Sequence, residues 1–390
     1  METVVRLAAR GDGVTDAGRY IAGAVPGDRV DGDRLVAGPH RATPPCRHFG
    51  ACGGCQLQHV DEETLAGFVR GRIVGALAGA GVTAERVEPV HLSPAGSRRR
   101  ASVRALRTRD GVVIGFNVER GHDIVDLAEC QVLAPALWRA VGALRQPMTA
   151  MLGPGAAANL TLSVTATGID LVIGGAQLSS SAPAILAAWA EAHGIARISG
   201  DDGVIVQRVE PIVVMDGVRI AFPAGGFLQA TPDGEAALQR AVVDACTGAR
   251  RVADLFTGIG TFALPLSRDA RVLAADAAGP AVSALAAAAR AAGRNVETAH
   301  RDLFRQPYDR KALAAFDAVV LDPPRAGAGA QVAELARSTV KRVVYVSCNP
   351  NTFARDAKTL CDDGYQLETL TPVGQFRWSL HVELAAVFAR

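Results

Sequence analysis

The last third of the chain carries short, nearly uninterrupted apolar runs. These are Val252-Ala253 ending in Asp254, Val272 to Ala275 ending in Asp276, Ala318 to Leu321 ending in Asp322, and Arg342 to Val346 ending in Ser347-Cys348. Continuous rather than alternating hydrophobicity predicts parallel strands buried on both faces. Helical patterns separate them: Pro232 to Cys246, an Ala-rich amphipathic stretch from Gly279 to Gly293, and a helix opened by Pro350. Two later runs, Tyr365 to Glu368 and Val382 to Phe388, read as strands that close the sheet as an antiparallel pair. Residues 226–390 are therefore expected to form an open, Rossmann-like α/β sheet.

The earlier residues follow other periods. Val4 to Leu7, Arg19 to Ala22 and Pro26 to Val30 alternate short strands with glycine turns, which predicts a small β unit over residues 1–45. Asp61 to Gly79 reads as a helix with Leu65, Phe68, Val69, Ile73 and Leu77 on one side. Six arginines, Arg98, Arg99, Arg100, Arg104, Arg107 and Arg109, fall on a predicted hairpin that turns near Asp110-Gly111 and returns through Phe116. Side chains alternate along a strand, so several guanidinium groups can line a phosphate track, or merely form a solvated face. From Leu160 to Ile220 strands alternate around one helix near Ala182 to Ala192, without evident chemistry. Residues 46–225 are expected to form an α+β domain.

Charge adds little. Forty-one basic against thirty-nine acidic residues give a net charge of +2, so any contact with nucleic acid has to come from local patches. No apolar run is long enough to span a membrane, and no signal peptide is evident at Met1 to Ala9, so a cytoplasmic chain is expected, with a monomer as the default. Seven cysteines in such a compartment are metal ligands, nucleophiles or core residues before they are disulfides.

The chemistry gathers at the strand ends, where open α/β sheets place their ligands. Cys348 follows the last parallel strand and precedes the helix opened by Pro350. As thiolate it is a strong nucleophile, and the helix N-terminus is expected to lower its pKa; alone, it reads sooner as a small buried core cysteine. Phe256-Thr257-Gly258-Ile259-Gly260-Thr261 is a glycine turn of the nucleotide-binding type, without the Lys-Ser/Thr of a P-loop. Asp276, one strand later, is placed to hold a ribose diol. Asp322 opens an Asp-Pro-Pro-Arg turn.

Cys46-x5-Cys52-x2-Cys55, with Gly50, Gly53 and Gly54 between, is a tight loop with three thiols, and Cys130 supplies a fourth. Four thiolates can hold a [4Fe-4S] cluster or one zinc ion. Zinc sites usually pair two short hooks and only one is present, although His48 and His59 keep zinc open.

Glycine turn, ribose acid, Asp-Pro-Pro turn and Ser-Cys-Asn-Pro on four successive strands, followed by His381-Val382-Glu383, resemble the RNA (uracil-5-)-methyltransferase family. The resemblance implies an S-adenosyl-L-methionine-dependent enzyme that forms 5-methyluridine in RNA. It gives Cys348 the role of nucleophile at C6, Glu383 that of the base, and Asp322 that of orienting the pyrimidine. Gln229 of Phe227-Leu228-Gln229, Phe256, Gly258, Thr261, Asp276, Asp302 and Asp322 fall on its cofactor-binding positions; Thr231 stands where the family usually has Asn. The thiol spacing is similar to the iron-sulfur loop of the ribosomal-RNA branch, which implies Cys46, Cys52, Cys55 and Cys130 as cluster ligands and 23S rRNA as partner. Residues 1–45 look like a shortened OB-like (TRAM-like) RNA-binding unit. A transfer-RNA enzyme, or a metal-stabilised RNA-binding protein without activity, are the alternatives.

Overall fold

The computed structural model describes residues 1–119 and 121–390. Its largest sheet has nine strands. Five run parallel in the spatial order Val296–His300, Arg271–Asp276, Arg251–Leu255, Ala318–Leu321 and Arg342–Ser347. Glu383–Ala389 then pairs antiparallel with Arg342–Ser347, and Gln366–Gly374 antiparallel with Glu383–Ala389. The chain leaves Arg251–Leu255 to one side and returns at Ala318–Leu321 on the other, so the sheet's switch point lies between these two strands.

Two apolar clusters sandwich the sheet. One joins Leu255, Leu321, Tyr345 and Phe388 to the helix Glu62–Gly79 through Leu65, Phe68, Val69, Ile73 and Leu77. That helix starts where Asp61 accepts the Thr64 amide at 2.8 Å. Arg86–Val87 and His91–Leu92 extend the same sheet beside Gln366–Gly374. Residues 62–92 are thus built into the wall of the distant sheet. The second cluster covers the other face with the helices Pro232–Ala245 and Gly279–Ala291 and the hairpin Ile212–Met215 with Val218–Ala221.

A separate six-stranded sheet contains Ala157–Thr165 at its centre, paired with Arg100–Arg107 and Gly168–Gly174, over a core of its own. The N-terminal residues form a five-stranded antiparallel sheet between Glu2 and Val36, packed around Val4, Ala24 and Val30. Its strand order has two free edges. Among the described residues no helix is long and apolar enough to cross a membrane.

Candidate active site and four-thiol cavity

Antiparallel pairing brings the two ends of the chemistry together. Ser347 faces Leu384, so the next residue on one strand, Cys348, is set beside the preceding residue on the other, Glu383. Glu383 is buried, 4% exposed, and faces Val373 on its other side. Its carboxyl is pushed up to about 7 by burial, against an opposing hydrogen bond from Gln375 and the charge of Arg325. Asp322 is also raised well above the usual carboxylate range, by burial first and then by the charges of Glu383, Asp254 and Asp276.

Cys348 corrects one expectation. Its thiol is pushed up to about 11, mainly by burial, then by the charges of Glu383 and Asp322. Arg325 and the Cys348 amide pull the other way without prevailing. The helix Pro350–Asp362 does begin close after the cysteine, capped by Asn349, but burial, with two nearby carboxyls, leaves the thiol raised.

A chain of amides ties the acids together. Gln229 Nε2 donates to Asp322 Oδ2 at 3.4 Å, Gln375 Nε2 donates to Gln229 Oε1 at 2.7 Å, and Gln375 Nε2 also donates to Glu383 Oε2 at 2.8 Å. Gln375 was not singled out by sequence pattern, because a glutamine in a loop carries no periodic signal. The Asp-Pro-Pro-Arg turn is bolted down from the next helix: Asn349 Nδ2 donates to the Arg325 carbonyl at 2.9 Å, and buried Asp356 accepts the Ala328 amide at 2.8 Å and the Tyr345 hydroxyl at 2.7 Å.

The glycine turn lies at the switch point. Phe256 has φ of 66°, a strained value for a non-glycine residue. Gly258, at φ 56°, has open space where a Cβ would project, whereas a Cβ on Gly260 would stand 2.5 Å from Leu285 Cδ1. The two glycines therefore divide the work: one leaves room for a ligand, the other lets the turn pack on the helix Gly279–Ala291. Asp276 accepts the Gly258 amide at 2.9 Å and the Ala278 amide at 2.7 Å. Asp302 accepts the Phe304 amide at 3.0 Å, and the Phe304 ring lies 5.5 Å from that of Phe256. Thr261 is buried and its carbonyl accepts from Gln239. Thr231 caps the helix Pro232–Ala245 by accepting the Gly234 amide at 3.1 Å.

The arginine hairpin also differs from expectation. Arg99 points inward: Nε donates to the Gln229 carbonyl at 3.2 Å, and its guanidinium pairs at 2.5 Å with buried Glu235. Arg98 is part-buried, with its guanidinium 5.7 Å from the Phe376 ring. Arg100 is half-buried, with its guanidinium 5.5 Å from the exposed ring of Phe227. Arg10, Arg98, Arg100, Gln56, Phe116 and His381 line a cleft of about 670 Å³ that ends next to the His381-Val382-Glu383 segment.

Cys46, Cys52, Cys55 and Cys130 line one small cavity together with Arg98. The charge of each of the other three thiols pushes the Cys55 thiol up, beyond the larger effect of burial. Among the described residues, no three His, Cys, Asp or Glu groups are disposed to hold a metal ion. A Cβ on Gly54 would touch both Cys52 Sγ and the Phe116 ring, at 3.4 Å from each. Four thiols are the donor type that a [4Fe-4S] cluster or a zinc ion takes. The segment after Cys55 reaches the active site: the amides of Gln56 and Leu57 both donate to the carbonyl of Trp378, a residue held at φ 60°.

Comparison with known proteins agrees with this geometry. A family model described as tRNA (Uracil-5-)-methyltransferase matches residues 222–390. An RNA methyltransferase of Zymomonas mobilis is 43% identical over the whole of both chains. The 23S rRNA (uracil(1939)-C(5))-methyltransferase of Chromohalobacter salexigens is 32% identical, over 92% of this chain and 78% of its own. Among solved structures, the Pyrococcus abyssi tRNA (uracil-54, C5)-methyltransferase in complex with S-adenosyl-L-homocysteine has the same fold, with a TM-score of 0.77, 24% identity, and coverage of 100% of this chain and 99% of its own.

Proposed function

The chain belongs to the RNA (uracil-5-)-methyltransferase family, and from that premise we propose that it methylates C5 of a uridine in 23S ribosomal RNA through a covalent bond between Cys348 and C6 of the base. The observation that carries this reading is the strand register that sets Cys348 beside Glu383, with Asp322 close enough to raise the Cys348 thiol and to be raised in turn by the charge of Glu383.

Uracil C5 is too weak a nucleophile to accept a methyl group unaided. Cys348 Sγ, as thiolate, adds to C6, and the C5=C6 electron pair moves toward C5 and O4. S-adenosyl-L-methionine supplies, when bound, an electrophilic methyl group on a sulfonium. After C5 has gained that methyl, Glu383 takes the C5 proton, the C6–S bond breaks and Cys348 leaves as thiolate. A carboxyl near 7 suits this task, since it both accepts a proton and returns it to water at neutral pH. Asp322, linked to Gln229, orients the pyrimidine, and Arg325 offsets negative charge developing at O4. Gln229, Phe256, Gly258, Thr261, Asp276, Asp302 and Asp322 would hold the methyl donor at the switch point.

The target base has to leave its stack to reach so buried a pair, so the substrate is a loop or otherwise opened RNA. The cleft with Arg10, Arg98 and Arg100 is the approach for its backbone. Cys46, Cys52, Cys55 and Cys130 hold a [4Fe-4S] cluster in this reading, with zinc as the alternative, and the cluster supports the fold rather than the reaction. The choice of ribosomal over transfer RNA rests on that thiol set and on the Chromohalobacter relative.

The test uses Glu383→Gln, which leaves the methylated adduct unable to lose its C5 proton. Mixed with the methyl donor and undermethylated 23S rRNA, it is expected to give a protein–RNA species that survives denaturing electrophoresis and is absent in Cys348→Ala. An adduct with transfer RNA only would move the substrate assignment; no adduct with either would contradict the proposal.

A further inference from the structure

Gln375 lies in the loop between Gln366–Gly374 and Glu383–Ala389 and is 2% exposed. Its carboxamide reaches three partners. Oε1 accepts the Ala230 amide at 2.9 Å; Nε2 donates to Gln229 Oε1 at 2.7 Å and to Glu383 Oε2 at 2.8 Å. This orientation is forced by the partners. A backbone amide only donates and a carboxylate only accepts, so a flipped carboxamide would oppose donor to donor at Ala230 and acceptor to acceptor at Glu383.

The consequence passes to Gln229. With its Oε1 engaged by Gln375, its Nε2 is the group left to face Asp322. The site is also shaped to admit Gln375, since a Cβ on Gly234 would stand 2.7 Å from Gln375 Cβ. Gly234 itself is helical, so its glycine is explained by this close approach rather than by backbone conformation.

We propose that Gln375 is a positioning residue that locks Glu383 and Gln229 into one geometry, so that proton removal from C5 and orientation of the pyrimidine through Asp322 occur at a fixed relative placement. The proposal rests on the reading of Glu383 as the base. Its hydrogen bond favours the ionised form of Glu383, and the energy of a bond to a charged group corresponds to a shift of about one pH unit.

The test compares wild type, Gln375→Met and Gln375→Glu, loaded with the thiol-bound centre, in two measurements. In the pH dependence of kcat, both variants are expected to move the acid limb upward, Met by about one unit and Glu by more, because the new carboxyl repels that of Glu383. In single turnover, both are expected to accumulate the covalent adduct and resolve it at least tenfold more slowly at pH 7. Gln375→Glu keeps an acceptor for the Ala230 amide, so a shared limb shift separates positioning from lost packing. An acid limb and adduct lifetime equal to wild type in either folded variant overturn the role of Gln375, while Glu383→Gln still accumulates adduct. Absence of adduct in Glu383→Gln itself overturns the underlying assignment of the base, and the proposal with it.

Discussion

The amide of Leu57 donates a 2.9 Å hydrogen bond to the carbonyl of Trp378. Leu57 is two residues past the third thiol of the four-thiol loop, and Trp378 stands five residues before Glu383. The Gln56 amide reaches the same oxygen at 2.7 Å, and Trp378 adopts a left-handed conformation to receive both. The distant thiol loop is therefore a brace for the loop that leads to the base.

That brace predicts how loss of the thiol-bound centre is felt. Removing the proposed cluster, or replacing Cys55 by Ser, is expected to accelerate amide hydrogen exchange across residues 376–381 by tenfold or more and to depress methyl transfer. Binding of the methyl donor at the glycine turn is expected to change less than threefold by calorimetry. Equal loss of donor binding would show that the loop supports the whole sheet rather than this corner.

Glu383 gives a stability prediction with a definite sign. Its carboxyl is pushed up by burial to about 7 when folded, from an ordinary 4.5. Between those values the folded state binds the extra proton, so this group's contribution to stability falls as pH rises through that window and stays low above it. Glu383→Gln lacks the term. Denaturant titrations are expected to show no advantage for the variant near pH 4.5, growing to as much as about 3 kcal/mol above pH 7. A constant difference across pH would contradict the buried, proton-retaining carboxyl.

Cys348 is expected to be a slow thiol in the free protein, since it is pushed up to about 11. Alkylation of Cys348 by iodoacetamide, followed by peptide mass spectrometry, should rise steadily with pH beyond 9. Glu383→Gln should speed it several-fold at pH 8, where wild-type Glu383 is charged and repels the thiolate. Below pH 6 the two proteins should react alike. Rapid alkylation at pH 7 in wild type would contradict this environment.

At the glycine turn, Gly260→Ala meets two obstacles at once, a φ of 96° and Leu285 Cδ1 at 2.5 Å. It is expected to lower stability by roughly 1–3 kcal/mol and to weaken donor binding with it. Gly258→Ala meets no neighbouring atom, only an unfavourable φ of 56°. Its effect should fall mainly on donor affinity, measured by calorimetry, with a smaller change in melting temperature.

Much of this site was legible because its chemistry sits at strand ends. The apolar runs before Asp276, Asp322 and Cys348 placed two acids and a thiol at strand ends without any tertiary knowledge, and the antiparallel closing pair followed from the two last runs. What stayed hidden depends on contacts between remote segments. Nothing around Gln375 indicates that its carboxamide meets Gln229 and Glu383, and nothing in Arg98-Arg99-Arg100 tells which guanidinium turns inward. Strand alternation predicted a row of exposed charges; instead the Arg99 amide donates to the Ala230 carbonyl, and its side chain follows that anchor into Glu235. The thiol's raised pKa was missed for a similar reason: the helix N-terminus is visible in sequence, but the burial of Cys348 and the nearness of the Glu383 and Asp322 carboxyls arise only in the folded sheet.

The central claim is that Cys348 makes this chain a uracil-C5 methyltransferase of ribosomal RNA. The most direct measurement is transfer of labelled methyl from S-adenosyl-L-methionine to undermethylated 23S rRNA and transfer RNA, by wild type and Cys348→Ala, with nucleoside analysis of the product. Label recovered as 5-methyluridine from 23S rRNA, and lost in the variant, is the result expected. Label in any other nucleoside, or 5-methyluridine formed equally by Cys348→Ala, would contradict it.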